Sequence, residues 1–228
     1  ESEAKRKRYW ARSMVGWVSV DGARPNATHC ALAELERAGK VDLLITQNVD
    51  RLHQKAGSQR VVDLHGRLDQ VMCLICGEQE SRKSFQTRLL QANPFVTDYQ
   101  HIARPDGDAD VPDTYVEKTT IPQCELCGGV VMPDVVFFGG TVPRARVEAC
   151  TESLASAGGL LVVGSSLQVY SGFRFCRVAE KLRIPIVIVN EGETRADDMA
   201  TFKVEQSAMN RLVAAIDQII PSQESKSA

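Results

Sequence analysis

The chain has 228 residues, of which 43% are hydrophobic and 25% are charged, as is usual for a globular protein. The 27 Lys and Arg residues against 29 Asp and Glu residues give a formal net charge of −2. This balance argues against a nucleic-acid-binding surface, which needs a basic excess. No stretch approaches the roughly 18 consecutive apolar residues of a membrane span, and the N-terminus lacks the layout of a signal peptide. We therefore expect neither a nucleic-acid partner nor a membrane partner.

The first part of the chain predicts two helices and a strand. Residues 2–16 are predicted as a helix and residues 21–25 as a turn. A second helix opens near Ala27, with apolar residues at helical spacing, and stops at Gly39. Residues 41–45 form an apolar run of strand length, typical of a buried parallel strand.

Strand and helix patterns alternate again in the last third of the chain. The predicted elements are strands at 159–163 and 185–189, and helices at 172–182 and 210–220. Such alternation is typical of a Rossmann-like, open parallel α/β sheet, which is the fold class we predict. Ligands bind at the carboxyl ends of parallel strands, so the polar clusters after three strands should converge on one crevice. The clusters are residues 46–48, 164–166 and 190–192.

Residues 66–130 differ from the rest, because they lack this alternation and contain two Cys-x-x-Cys pairs. We predict a small inserted zinc-binding module there, with a long polar loop over residues 93–122. The Rossmann-like domain then comprises residues 1–65 and 131–228.

The cysteine pairs predict a structural metal centre. Cys73 and Cys76 form one pair, and Cys124 and Cys127 form the other. Two residues between cysteines let both thiolates of a knuckle face one ion, and four thiolates suit tetrahedral zinc with no open position. The alternative is that these are buried or redox cysteines.

Three further patterns hint at catalysis, each with a plainer alternative. His65 stands beside Gly66 and suits a base near neutral pH, although a structural histidine would look the same. The polar side chains of residues 47–50 suit a sugar hydroxyl and a carboxamide, or a turn and helix cap. Residues 164–166 suggest a phosphate cradle.

The acidic stretch over residues 106–117 has two interpretations, a calcium-binding loop and a solvated loop. Asp106, Asp108, Asp110 and Glu117 occupy ligand positions of a calcium loop, but Val111 stands where that loop requires glycine. We therefore favour a solvated loop near the substrate channel over a calcium site.

Taken together, the motifs stand in the order and spacing of sirtuins, which the chain resembles over nearly its whole length. The matching segments are residues 46–53, 64–66, both cysteine pairs, 132–139 and 164–169. Finer details, such as residues 168–172, resemble the class II mitochondrial sirtuins of vertebrates.

The resemblance implies roles for individual residues. It implies that His65 is the catalytic base and that Cys73, Cys76, Cys124 and Cys127 hold one structural zinc. The residues implied to bind NAD are Gln47, Asn48, Val49, Asp50, Gly164, Ser165, Ser166, Asn190, Glu191, Gly192 and Ala208, the last standing where many relatives have cysteine. Those implied to pair with the substrate backbone are Val136, Phe137 and Gly139.

The implied activity is that of an NAD-dependent protein-lysine deacylase, of deacetylase or lipoamidase type. Such an enzyme cleaves NAD to nicotinamide and transfers the acyl group to ADP-ribose. The implied partners are acylated lysines of mitochondrial metabolic enzymes. The implied oligomeric state is a monomer, and the implied location is the mitochondrial matrix. The alternatives are a protein mono-ADP-ribosyltransferase and a non-catalytic zinc-ribbon interaction module.

One departure from the family is large. The Gly-Ala-Gly-x-Ser turn, the first strand and the Ile-Pro-Asp-x-Arg loop of sirtuins do not occur in the sequence. We expect the 228 residues to be part of a longer natural protein, and these residues alone to show poor solubility, weak NAD binding and no turnover.

Overall fold

A computed structural model describes residues 2–98, 109–205 and 208–219. The helices in these ranges are α1 (Glu3–Gly22), α2 (Ala27–Arg37), α3 (Leu52–Lys55), α4 (Arg82–Ala92), α5 (Asp113–Lys118), α6 (Arg144–Ala155), α7 (Tyr170–Leu182) and α8 (Ala208–Ile219). The strands are β1 (Leu44–Thr46), β2 (Val61–Asp63), β3 (Gly66–Cys73), β4 (Gln79–Ser81), β5 (Val131–Val135), β6 (Leu160–Val163), β7 (Ile186–Val189) and β8 (Phe202–Val204). No helix in the described ranges has the length and apolar character needed to cross a bilayer.

The chain divides into two compact units. The first comprises the described parts of Glu1–Ala23, Val49–Arg51 and Gly66–Val135. The second comprises Arg24–Asn48, Leu52–His65 and the described parts of Val136–Ala228.

The first unit is built on an antiparallel sheet in the order β4-β3-β5, against which α1 and α4 pack. Trp10 of α1 is fully buried, and its ring centroid lies 4.7 Å from that of Phe85 on α4. Met14 and Leu89 join the same apolar cluster. Helix α1 therefore belongs to the core around the cysteine module. From the sequence, it had been assigned, with the rest of residues 1–65, to the Rossmann-like domain. It also extends past residue 16 to Gly22, because Trp17 is buried as well.

Arg82 lies inside this unit with 1% of its surface exposed. Its guanidinium sits 5.2 Å from the Trp10 ring and 4.8 Å from the Trp17 ring. Its Nη atoms donate to Gln86 Oε1 at 2.7 Å and to the Ser13 carbonyl at 3.2 Å. Burial lowers the pKa of Arg82 to about 10, and the stacked indoles and hydrogen bonds replace the lost water.

The second unit has the parallel α/β character that the sequence predicted. Strand β1 pairs in parallel with β2, and β6, β7 and β8 form a second parallel sheet in that order. Helices α6 and α7 cover the latter, with Phe173, Phe175 and Ile186 in the shared core. The carboxyl ends of β1, β6 and β7 carry the predicted polar clusters.

The bounds of strands β2 and β8 were not predicted. Each has only three residues and includes a charged one, Asp63 in β2 and Lys203 in β8. Such a segment carries no periodicity of its own, and pairing with a neighbouring strand defines it.

Gly66 offers a test of the first unit. Its φ is +84°, and a Cβ there would lie 2.0 Å from the Asp134 carbonyl oxygen of the paired strand. Gly66→Ala should therefore lower the free energy of unfolding by at least about 2 kcal/mol, measured by urea denaturation. Gly22→Ala is the control, because no atom lies within 4 Å of its added Cβ. Equal stability of the two variants would contradict the described β3–β5 pairing.

Candidate active site and zinc centre

The four paired cysteines come together in the first unit. The sulfur atoms of Cys73, Cys76, Cys124 and Cys127 all lie within 4.8 Å of one another. Cys73 Sγ is 3.5 Å from Cys127 Sγ, and Cys76 Sγ is 3.7 Å from Cys124 Sγ. Tetrahedral zinc with Zn–S bonds of about 2.3 Å needs sulfurs about 3.8 Å apart. The donor set therefore fits one structural zinc.

Both cysteine pairs adopt the same knuckle turn. The Gly77 amide donates to the Cys73 carbonyl at 3.0 Å, and the Gly128 amide donates to the Cys124 carbonyl at 2.9 Å. Both glycines have positive φ, +76° and +71°. This left-handed turn is one that glycine adopts without steric cost, so the turn positions are as the sequence predicted.

The protein already favours a thiolate at one sulfur. Backbone amides of Cys76 and Ile75 donate to Cys73 Sγ and lower the pKa of Cys73 to about 6. The neighbouring sulfur of Cys76 has the opposite effect and raises the pKa of Cys127 to about 12. A bound divalent cation relieves this crowding of negative charge.

The predicted catalytic base lies in the second unit and makes two hydrogen bonds. His65 Nδ1 is 3.0 Å from the Gln47 carbonyl oxygen, and His65 Nε2 is 2.7 Å from Ser171 Oγ. A carbonyl oxygen only accepts, so Nδ1 carries the ring proton. In the neutral imidazole, Nε2 is then the lone-pair nitrogen, which accepts from the Ser171 hydroxyl. In that tautomer Nε2 is the nitrogen available as a base.

Gln47 connects the histidine with the predicted phosphate cradle. Its side-chain amide donates to Ser171 Oγ at 3.4 Å, and its Oε1 accepts from Ser165 Oγ at 3.3 Å. Gly172 makes room for this side chain, because a Cβ there would lie 2.7 Å from Gln47 Oε1. Residues from β1, β6 and α7 therefore meet at one place.

The ends of β6 and β7 carry the other predicted cofactor residues. The Gly164 amide donates to the Val189 carbonyl at 2.9 Å, which holds the two strand ends together. Gly164 has φ +60° and open space where a Cβ would stand. Asn190 is buried, and its side-chain amide donates to the carbonyls of Glu191 and Gly192 at 2.8 and 3.4 Å.

A cleft with a volume of about 270 Å³ lies beside this cluster. Apolar residues of β1 and β6, such as Ile45 and Val163, line part of it. Polar lining comes from Gln47, Asn48 and Ser165. An apolar cleft with a few convergent polar groups is the usual form of a small-molecule site.

The remaining predicted cofactor residues belong to other segments. Val49 and Asp50 belong to the first unit, where the Val49 carbonyl accepts from the Leu68 amide at 2.8 Å. Ser166 is exposed on the loop after β6, and Ala208 is the first residue of α8.

The predicted substrate strand ends earlier than expected. Strand β5 stops at Val135, and the Val136 amide then donates to the His65 carbonyl at 2.8 Å. A turn follows, in which the Gly140 amide donates to the Phe137 carbonyl at 2.8 Å and Gly139 has φ +81°. Phe137 and Gly139 thus lie in a turn, because positive φ at Gly139 ends the extended conformation.

Sequence reasoning missed Ser171 and Gly172 as members of the site. The segment 168–172 stood out only as a detail shared with relatives. Its contacts with His65 and Gln47 span 106 and 124 residues of sequence, so no local spacing indicates them.

The chain is similar to known proteins in sequence and in structure. A model of the Sir2 family matches residues 1–171. An NAD-dependent protein deacetylase of Xanthomonas axonopodis pv. citri (strain 306) is 55% identical over 207 residues, which are 91% of this chain and 71% of that protein. The NAD-dependent protein deacylase Sirt4 of Drosophila melanogaster is 48% identical over 204 residues, which are 90% of this chain and 65% of that protein.

The solved structures that resemble this chain include Sir2 structures. A structure of Sir2Tm bound to a propionylated peptide has a TM-score of 0.71 and 30% sequence identity, with 88% of this chain and 73% of that chain covered. A structure described as Sir2, p53 peptide and NAD+ has a TM-score of 0.70 and 30% identity, with 86% and 70% covered. With a family match over most of its length and a half-buried histidine held at the strand ends, the chain belongs to the Sir2 family, the sirtuins.

Proposed function

We propose that this chain is an NAD-dependent protein-lysine deacylase, with nicotinamide, free lysine and acyl-ADP-ribose as products. The observation that carries the proposal is the position of His65, whose Nδ1 is held by the Gln47 carbonyl and whose Nε2 faces Ser171, next to Ser165 and the Gln47 side chain. The deacetylase and deacylase names of the relatives support the reaction class. Neighbouring structures with acetylated and propionylated peptides support acyl-lysine as the substrate.

His65 acts as the general base in this proposal. Bound NAD supplies an activated ribosyl group with nicotinamide as its leaving group. Nε2 of His65 takes a proton from a ribose hydroxyl, while Nδ1 keeps its hydrogen bond to the Gln47 carbonyl. That bond stabilises the positive charge that develops on the ring. Ser171 would have to release Nε2 before a ribose hydroxyl could reach it.

The cofactor-binding assignments form part of the same proposal. The open backbone at Gly164 and the hydroxyls of Ser165 and Ser166 suit the phosphates, and the Gln47 amide suits the carboxamide. Exposed Glu191 suits ribose hydroxyls. The resemblance to sirtuins supports the other assignments: Asn48, Val49, Asp50, Asn190, Gly192 and Ala208 for the cofactor, and Val136, Phe137 and Gly139 for the substrate.

The finer assignments rest on the likeness to class II sirtuins. We propose, from that resemblance alone, a monomer in the mitochondrial matrix that acts on metabolic enzymes. The similar proteins include bacterial deacetylases as well as the Drosophila deacylase, so fractionation of cells is the deciding experiment for the location.

Release of nicotinamide from NAD, with and without an acyl-lysine peptide, tests the reaction. A deacylase should release nicotinamide in proportion to deacylated peptide. Release that labels a protein acceptor with ADP-ribose, independently of the acyl group, would instead support ADP-ribosyl transfer. No release under any condition, in protein that also carries the sirtuin glycine turn absent from these 228 residues, would contradict both activities. A panel of acetyl, propionyl and lipoyl peptides would then define the preferred acyl group.

His65→Ala should reduce turnover by at least about a hundredfold, because general-base catalysis is typically worth that much or more. Zinc content and circular dichroism should not change, since the side chain is only half-buried. His53→Ala, on the short helix α3, should have a much smaller effect. A purified His65→Ala protein with near-normal deacylation would falsify the assignment.

Gly172→Ala should weaken NAD binding without lowering the stability of the protein. The added Cβ meets the flexible end of Gln47 at 2.7 Å, so the amide must move away from the site. We expect a KM for NAD raised by roughly fivefold to tenfold, from the loss of one hydrogen-bonding group. The thermal midpoint should stay level or rise, because alanine favours a helix over glycine by up to about 1 kcal/mol. Gly158→Ala, which meets nothing within 4 Å, is the control.

Metal analysis tests the zinc centre. We expect about one zinc per chain, lost when any of Cys73, Cys76, Cys124 or Cys127 is changed to serine, with unfolding of the first unit. Cys30→Ser should keep its zinc, because Cys30 is exposed and outside the cluster. Well-folded protein without zinc would rule the centre out.

A further inference from the structure

The loop between β6 and α7 holds an unfavourable backbone conformation. Leu167 has φ +56°, in the left-handed region that disfavours every residue except glycine. Its side chain is buried in the core of the second unit, with 5% exposed. A glycine would relieve the backbone but lose this packing. Other contacts must therefore hold the loop in place.

One residue holds both sides of Leu167. The Arg195 backbone amide donates to the Ser166 carbonyl at 2.9 Å. The Arg195 guanidinium donates through Nη1 to the Gln168 carbonyl at 3.2 Å. The Leu167 amide itself donates to Ser165 Oγ at 3.2 Å. Arg195 thus binds the carbonyls of the two residues on either side of the strained residue.

The turn that carries Arg195 is itself firmly held. Thr194 and Ala196, on either side, are both buried. Asp197 accepts from the Thr194 hydroxyl at 2.5 Å and from Lys203 Nζ at 2.7 Å. The hydrogen bond from Lys203, followed by that from Thr194, lowers the pKa of Asp197 to about 2. The turn is therefore stabilised above the ordinary carboxyl pKa, and this is lost only as the pH falls towards 2.

The side chain of Arg195 is oriented by aromatic rings. Its guanidinium carbon lies 4.4 Å from the Phe173 ring centroid and 6.0 Å from that of Tyr170, both on α7. Stacking of this kind favours a planar guanidinium over an ammonium group. Arg195 nevertheless remains exposed as a whole, so its replacement opens no core cavity.

We propose that Arg195 is a positioning residue for the dinucleotide. It holds the 165–168 loop in the conformation in which the Ser165 hydroxyl reaches Gln47 and the Gly164 backbone is open. This inference rests on the proposed function, which places the cofactor at residues 164–166. Without the Arg195 side chain, the loop relaxes at Leu167 and carries Ser165 and Ser166 away from the cofactor.

The test uses three variants of protein that also carries the sirtuin glycine turn, with steady-state rates measured against NAD and an acyl-lysine peptide. Arg195→Met keeps the apolar stem and removes the donors, whereas Arg195→Lys keeps one donor. Arg174→Met is the matched control. Arg174 lies on α7, as Tyr170 does, and its guanidinium carbon is 5.4 Å from the Tyr170 ring centroid. We expect Arg195→Met to raise the KM for NAD about tenfold, with kcat and the peptide KM within about twofold of wild type. Arg195→Lys should recover most of the loss, and Arg174→Met should match wild type.

A second measurement needs no activity. Hydrogen exchange at the Leu167 amide, in protein without NAD, should be faster in Arg195→Met than in Arg174→Met. Equal exchange in both, or an NAD KM in Arg195→Met equal to that of wild type, would overturn the inference. A fall in kcat together with a lowered thermal midpoint, at unchanged KM, would overturn it too, since that indicates a general loss of folded protein. Wild-type protein that cleaves no NAD would count against the proposed function, and hydrogen exchange would still decide the role of Arg195.

Discussion

The parallel pairing of β1 with β2 determines the chemistry of the histidine. Thr46 stands opposite Asp63, and the Leu64 amide continues the ladder by donating to the Thr46 carbonyl at 2.9 Å. The next carbonyl along β1 is that of Gln47, which faces His65 Nδ1. A shift of register by one residue would turn the alternating side chains to the opposite face and present a different group to the imidazole. The position of the ring proton thus depends on strand register.

The first unit combines a metal centre with an unusual apolar core. Trp10 Nε1 donates to the Val131 carbonyl at 3.3 Å, and Val131 stands opposite Cys73 in the pairing of β3 with β5. Helix α1 therefore supports the strand that carries the first knuckle. The same tryptophan stacks on Arg82, so one ring links the buried cation to the cysteine cluster. Small zinc modules have little core of their own, and this helix adds to it.

Local patterns predicted much of the architecture and the metal centre. The cysteine spacing predicted the zinc centre because each knuckle is a local turn. Apolar periodicity predicted α2, α7, β6 and β7 to within about two residues. The position of α1 could not be predicted, because its contacts with Phe85 and Leu89 are distant in sequence. Ser171, Gly172 and Arg195 escaped notice for the same reason: each acts through a contact that only the folded chain creates.

The arrangement of the four sulfurs has a consequence for oxidation. Sulfurs of different knuckles lie 3.5 and 3.7 Å apart, Cys73 with Cys127 and Cys76 with Cys124. A disulfide bond needs two sulfurs about 2.05 Å apart, so a small movement brings either pair into bonding distance. Removal of the metal in air should therefore let a disulfide join the two knuckles, for example between Cys73 and Cys127, with dioxygen as the oxidant. A bound zinc ion thus also prevents disulfide formation between these thiols. A disulfide, once formed, would prevent zinc from binding again.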